Sequence, residues 1–293
     1  MVAGLRADGI AVDEPVWPPN KSAATAALRR RFAELRPDLK VSPAGYVSRI
    51  ADNLLPGVEA RHFVEHFENG DGRELDWKFC AVHSSAALAV NAFARFKDNL
   101  AHLSLADRSD FEKVAFEVKC PIGLRGGRPP HLDLLAHGPA GVVAVESKCT
   151  EHLGRTLPSF SPAYSKQIRD ERRAGVWFHA MGFVGERPDS FALLDVAQLV
   201  KHAFGLARCF RGRPTTLLYL YWEPLDADRH PIFRQHRCEI ERFGDLVAGG
   251  FPAFRTQSYS ELWAVWQETA QPKWLRDHAA QLQARYAIPL GAG

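Results

Sequence analysis

Asp133, Glu146 and Lys148 are three side chains whose types and spacing could do chemistry together. They fall in the segment 128–152, RPPHLDLLAHGPAGVVAVESKCTEH. Two carboxylates held close repel each other unless a cation bridges them, and hard oxygen ligands suit Mg²⁺ or Mn²⁺. An ammonium beside them supplies positive charge where a phosphorus centre accumulates negative charge during displacement. Glu146 and Lys148 are two residues apart and so share a face of a strand. The residues leading in, Val142, Val143, Ala144 and Val145, are apolar on both faces, as in a strand inside a covered sheet. Ending such a strand with a carboxylate and an ammonium is costly unless the two are paired or bind something.

Register decides whether Asp133 belongs with them. If Gly138-Pro139-Ala140-Gly141 is a four-residue loop, His137 pairs with Val142 and Asp133 falls directly opposite Glu146, with Cβ atoms roughly 5 Å apart. A two- or six-residue loop slides the pairing but keeps the shared face, whereas a three- or five-residue loop without a bulge separates the acids. Other acid-x-Lys triplets lack this setting. Glu117-Val118-Lys119 lies on the polar face of an alternating strand and reads as a solvated pair. Asp76-Trp77-Lys78 and Asp38-Leu39-Lys40 have no hairpin bearing a second acid.

An Asp on one strand, a short hairpin and Glu-x-Lys closing an apolar strand resemble the PD-(D/E)XK nuclease superfamily, the restriction-endonuclease-like fold. The resemblance spans residues 84–222. It implies a metal-dependent nuclease that hydrolyses phosphodiester bonds of nucleic acid, with DNA the expected substrate and a 5′-phosphate product. It further implies that Asp133 and Glu146 hold Mg²⁺ or Mn²⁺, with the Ser147 carbonyl as an extra ligand, and that Lys148 orients the attacking water. In the family a following helix often presents a polar residue to the site. Tyr164, Lys166 and Gln167 match that position, and Gln167 is the candidate taken. The chain departs from the motif in having Leu132 where many members carry a proline before the Asp. No acid stands out on residues 86–100 to supply the first-helix carboxylate of many members.

Around the hairpin the sequence predicts strands at 111–120, 131–136, 142–149 and 215–222. In the first of these Val114, Phe116, Val118 and Cys120 alternate with Lys113, Glu117 and Lys119. Helices are expected at 21–35, 56–68, 86–100 behind a serine cap, 161–173 with Pro162 at its start, 191–210, 260–266 and 274–286. The expected class is α/β, with the restriction-endonuclease-like mixed central sheet flanked by helices. A loose arm and helical extension would occupy residues 1–82, and the nuclease domain with C-terminal helices residues 83–293.

The 293 residues are 46% hydrophobic and 24% charged with a formal net charge of +3, which excludes collagen-like and wholly disordered chains and a polybasic coat for polyanions. Local charge is more telling: residues 148–175 carry six basic side chains against three acids, and Lys166, Arg169, Arg172 and Arg173 are candidate phosphate contacts. Five scattered cysteines without a CxxC pair fit a reducing compartment. With no signal-like start and no long apolar run, a cytoplasmic protein off the membrane is the expectation. No P-loop or GxGxxG motif occurs.

Two other readings belong to different classes. One is a nucleic-acid-binding protein on the same fold without catalysis. The other is a zinc metallopeptidase through His62, Glu65 and His66, which fit H-x-x-E-H. Against the latter, Ala60, Phe63, Val64 and Phe67 form the apolar stripe and leave both histidines reading as surface residues. Tyr219, Tyr221, Trp222, Trp263, Trp266 and Trp274 read as core aromatics, Cys149 as an inert buried thiol, and Lys201 and His202 as surface positions beside a core helix.

Overall fold

The structure is a computed structural model that describes residues 21–68, 75, 77–124, 129–167, 175–268 and 270–291, the side chains of residues 165–167 excepted. Its sheet has the order β1 (Lys113–Lys119), β2 (His131–Gly138), β3 (Gly141–Lys148), β4 (Thr215–Tyr221) and β5 (Ala253–Ser258). β1, β2 and β3 are antiparallel neighbours, while β4 and β5 add in parallel. The first helices are α1 (Lys21–Leu35), α2 (Val64–Glu68), α3 (Ser85–Phe93) and α4 (Pro162–Gln167). Then come α5 (Gly175–Glu186), α6 (Val196–Cys209), α7 (Pro231–Leu246), α8 (Tyr259–Trp266) and α9 (Lys273–Tyr286). The class is the expected one, an α/β mixed sheet flanked by helices with a helical N-terminal segment.

Both faces of the sheet are covered, which is why β3 and β4 read as unbroken apolar runs. On one face α1, α3, α8 and α9 pack Leu28, Leu88, Trp263 and Leu282 with Val143, Val145 and Leu218. On the other, α5, α6 and α7 pack Trp177, Leu199 and Phe243 with Val142, Ala144 and Leu217. The expected core aromatics Trp222, Trp263 and Trp266 are indeed buried, as is Cys149. Three elements were not foreseen: α5, α7 and the edge strand β5. The helix expected at 191–210 begins only at Val196, after a short turn at Pro188–Ser190, because Asp195 caps it by accepting Gln198 N–H at 2.9 Å. The helix expected at 161–173 is seen as α4, and the residues after Gln167 as far as 174 lie outside the described residues, as does the expected N-terminal arm.

The β2–β3 hairpin has the predicted register, with His137 paired to Val142. Pairing extends into the turn to Gly138 and Gly141, leaving Pro139-Ala140 at the tip. Gly141 has φ +145, and a Cβ there would lie 2.2 Å from the Pro214 carbonyl oxygen, so the turn admits only glycine. At the other end the ladder stops at Leu134 and Val145, one step short of Asp133 and Glu146.

β1 and β2 share an irregularity at that level. Phe116 pairs with Leu134 and Val118 with Leu132, but Glu117 and Asp133 between them do not pair, and Glu117 has φ +50. Phe116 and Leu134 belong to the first core layer, whereas Cys120 and Leu132 belong to the second. The two strands therefore change faces at Glu117 and Asp133, a bulge-like device that re-aims side chains. Among the described residues no helix is long and apolar enough to cross a membrane.

Candidate active site

The strand irregularity and the end of β3 bring the acids together. The Asp133 carboxylate accepts the Ser147 backbone N–H at 2.7 Å, taking the place of a ladder carbonyl where the strands part. Glu146, buried, lies 2.6 Å from the Lys148 ammonium through Oε1 and 2.8 Å from His202 Nε2 through Oε2. Lys148 Nζ also donates to Gln198 Oε1 at 2.7 Å. Gln198 and His202 both stand on α6, four residues apart and so on one helical face. The Ser147 hydroxyl points away, to Tyr259 Oη at 2.7 Å, so any ligand role for Ser147 falls to its backbone.

The electrostatics separate these groups. Burial raises Asp133 well above the usual carboxylate range, and the charges of Glu146 and then Glu117 push it further the same way. Burial opposes the charge of Glu146 too, but Lys148 and His202 outweigh it and pull the acid down to about 2. Burial likewise works against the Lys148 charge, and Glu146 and Asp133 overcome it, so this lysine titrates above the ordinary lysine range. One ionised carboxylate, one carboxyl under pressure to take up a proton and one firm ammonium thus face the same space.

That space is a cleft of ≈ 570 Å³ at the carboxyl end of β3, between the N-terminus of α3 and α6. Asp133, Glu146 and Lys148 line it together with Glu117, Glu151 and Gln198. Glu151 sits on Ser85 Oγ at 2.5 Å and on the N–H groups of Cys149 and Thr150, each at 3.0 Å, which ties the exit of β3 to the start of α3. Ser84 caps α3 as expected, its Oγ accepting Ala87 N–H at 3.2 Å.

Several sequence expectations need correction here. Glu117 is not a solvated strand residue: its side chain is 11% exposed, lines the cleft and faces His131 Nδ1 at 3.3 Å. Only its left-handed backbone sets it apart, and alternation of polar and apolar residues conceals that. His202 is not a surface position but fully buried against Glu146. The polar residue that reaches Lys148 among the described side chains is Gln198 of α6, marked in sequence only by its place three residues after a capping aspartate. Tyr164 is buried against Phe160 and Phe204. The side chains of Lys166 and Gln167, and all of Arg169, Arg172 and Arg173, lie outside the described residues.

His62 and His66 are not surface histidines either. His62 ends a short 3-10 turn and meets Asp98 at 2.8 Å, whereas His66 lies on α2, accepts Phe116 N–H at 2.8 Å and meets Lys97 Nζ at 3.0 Å. The break at Phe63, with φ −144, means the two never share a helical face, and the zinc-peptidase reading loses its geometry.

The donors on the cleft floor are hard carboxylate oxygens, the chemistry that Mg²⁺ or Mn²⁺ prefers. Two observations fit such an ion. Glu146 Oε2 is buried and, although close to His202, completes no hydrogen bond. Asp133 suffers like-charge pressure that a cation would relieve. Among the described residues no group of three or more His, Cys, Asp or Glu side chains is already gathered tightly enough to hold an ion.

Comparison with known proteins adds the lineage. No curated protein and no solved structure gave a match. A family model described as Restriction Endonuclease associating with ARP matches residues 21–287, a span that takes in the hairpin, the cleft and every described helix, and the chain belongs to that restriction-endonuclease family.

Proposed function

We propose that this protein is a metal-dependent nuclease of the PD-(D/E)XK kind, hydrolysing phosphodiester bonds of nucleic acid, with DNA the expected substrate. The observation that carries this reading is the meeting of Asp133, Glu146, Glu117 and Lys148 in one open cleft, in a chain of a restriction-endonuclease family. Asp133 and Glu146 would hold Mg²⁺ or Mn²⁺, with Glu117 and the Ser147 carbonyl as further oxygen donors. When bound, such a cation lowers the pKa of water and offsets the charge that develops on the transferring phosphate.

The chain's own contribution is positional and electrostatic. The Ser147 N–H fixes the Asp133 carboxylate against the end of β3. Glu146 and Gln198 take two of the three donors on Lys148, leaving the third for a water or a phosphate oxygen. Its charge then lies where negative charge gathers in the transition state. Lys166, Arg169, Arg172 and Arg173 are proposed to contact the backbone, and Gln167 to orient a water or phosphate. The family's description also names an association with ARP, and a protein partner of that kind is part of the proposal.

Labelled DNA incubated with the protein and Mg²⁺ should yield products bearing 5′-phosphates. Lys148→Ala should bind the same DNA within about twofold while cutting it about 100-fold more slowly or worse. A wild-type protein that binds DNA or RNA and never cuts either with Mg²⁺ or Mn²⁺ would instead be a binding module on this fold.

A further inference from the structure

Trp77 is 56% exposed although it is one of the largest side chains in the chain. It stands in the wall of the cleft whose floor holds Asp133, Glu146 and Lys148. Tyr46 stacks on it with ring centroids 5.6 Å apart and planes 29° from parallel, and His83 meets Tyr46 edge-on at 6.1 Å. The indole is thus braced from behind while most of its surface faces water, an arrangement that leaves a large apolar area to be covered by something else. Lys21 and Lys78 line the same cleft. A flat aromatic face with ammonium groups beside it matches the two halves of a nucleotide, base on ring and phosphate on lysine.

Building on the nuclease reading above, we infer that Trp77 stacks on a base lying outside the double helix, so that the cleft takes nucleic acid with an unpaired nucleotide beside the scissile phosphate. The ≈ 570 Å³ of the cleft has room for one nucleotide beside Asp133, Glu146 and Lys148. A base paired in the interior of a duplex has both faces occupied within its own stack, so away from a strand end an extruded or single-stranded base is what can lie on the indole. The core aromatics cannot serve, since Trp222, Trp263 and Trp266 are sealed in the interior. Tyr46 and His83 act as positioning residues for the platform.

Fluorescence anisotropy tests this with labelled oligonucleotides of one sequence, in EDTA so that nothing is cut: a single strand, a blunt duplex and a duplex with a single-base bulge. The wild-type protein should bind the single strand and the bulged duplex more tightly than the blunt duplex. Trp77→Ala should weaken those two by about 5- to 150-fold, with the blunt duplex changed by less than about twofold. Trp77→Phe should retain most of the preference, because a ring remains. Equal losses on all probes, or no loss on any, overturn the stacking role. Failure of the wild-type protein both to bind any probe in EDTA and to cut any of them with Mg²⁺ or Mn²⁺ overturns the nuclease reading with it. Where cutting occurs without binding that survives in EDTA, the same comparison is read from cleavage rates. Binding and Mg²⁺-dependent cutting that are indifferent to Trp77→Ala overturn the stacking role alone.

Discussion

Lys148 holds a buried carboxylate in place and presents a charge to the cleft, so removing it should be felt twice. Lys148→Ala leaves Glu146 buried with His202 as its remaining close partner, and the stability lost should be about 3–5 kcal/mol, read from the urea midpoint. The double variant Glu146→Gln/Lys148→Met should recover much of that loss while staying inactive, since the uncompensated charge is gone. Gln198→Ala is gentler: the ammonium keeps Glu146 but loses its second acceptor, and kcat should fall about tenfold with substrate binding unchanged. That Asp133, Glu146 and Lys148 would lie together was legible, because residue type, period and register all pointed to one place. The nearness of Glu117, Gln198 and His202 to them was not, because it rests on a backbone twist and on a helix that returns from fifty residues away. A pattern read along one strand contains neither.

At the scale of elements, the irregularity shared by β1 and β2 positions the acids. Glu117 holds a left-handed conformation that a non-glycine residue adopts at a cost. Glu117→Gly should relieve that cost and the like charge near Asp133, stabilising the protein by about 1 kcal/mol in denaturant unfolding. The same substitution should weaken Mn²⁺ binding, measured by calorimetry; unchanged binding would remove Glu117 from the donor set. The β2–β3 hairpin was readable because apolar runs flank a Gly-Pro-Ala-Gly turn whose end demands glycine. β5, with the sequence AFRTQS, was not, since an edge strand with Arg255 and Thr256 exposed shows little alternation. The helix at 191–210 was overextended because Leu193 and Leu194 fit its apolar period, whereas the Asp195 cap sets the start.

At the scale of the whole molecule, helical layers seal both faces of the sheet and leave an opening at the carboxyl end of β3. Beside that opening, on the α7 side, His152 and His236 stack with centroids 4.3 Å apart, and Tyr219 Oη lies 3.0 Å from His236 Nε2. Burial drives His152 down to about 3, with Lys148 and Lys21 adding to it, and burial also drives His236 well below its usual value. Both bases are depressed, so the folded protein refuses protons that the unfolded chain accepts below about pH 6.5. His152 should therefore cost stability as pH drops from about 6.5 toward 3, about 2 kcal/mol on reaching pH 5, and His236 should act in the same direction. Asp133, raised by burial, pulls the opposite way in the same window, so the contribution is read by difference. A His152→Gln protein whose urea midpoint changes between pH 7 and pH 5 just as the wild type's does would contradict this. The layered α/β class was legible from composition and strand–helix alternation, but the buried histidine pair was not, since its two members meet only when α7 packs beside the end of β3.

The decisive measurement is the cleavage rate of a labelled oligonucleotide by the wild-type protein and by Asp133→Asn, each in Mg²⁺ and in EDTA. The wild type should cut only with the metal, and Asp133→Asn should lose about 100-fold or more of that rate while its fold survives. Cutting that persists in EDTA, or an Asp133→Asn protein as fast as wild type, would contradict a cation held by Asp133 and Glu146 as the basis of this site.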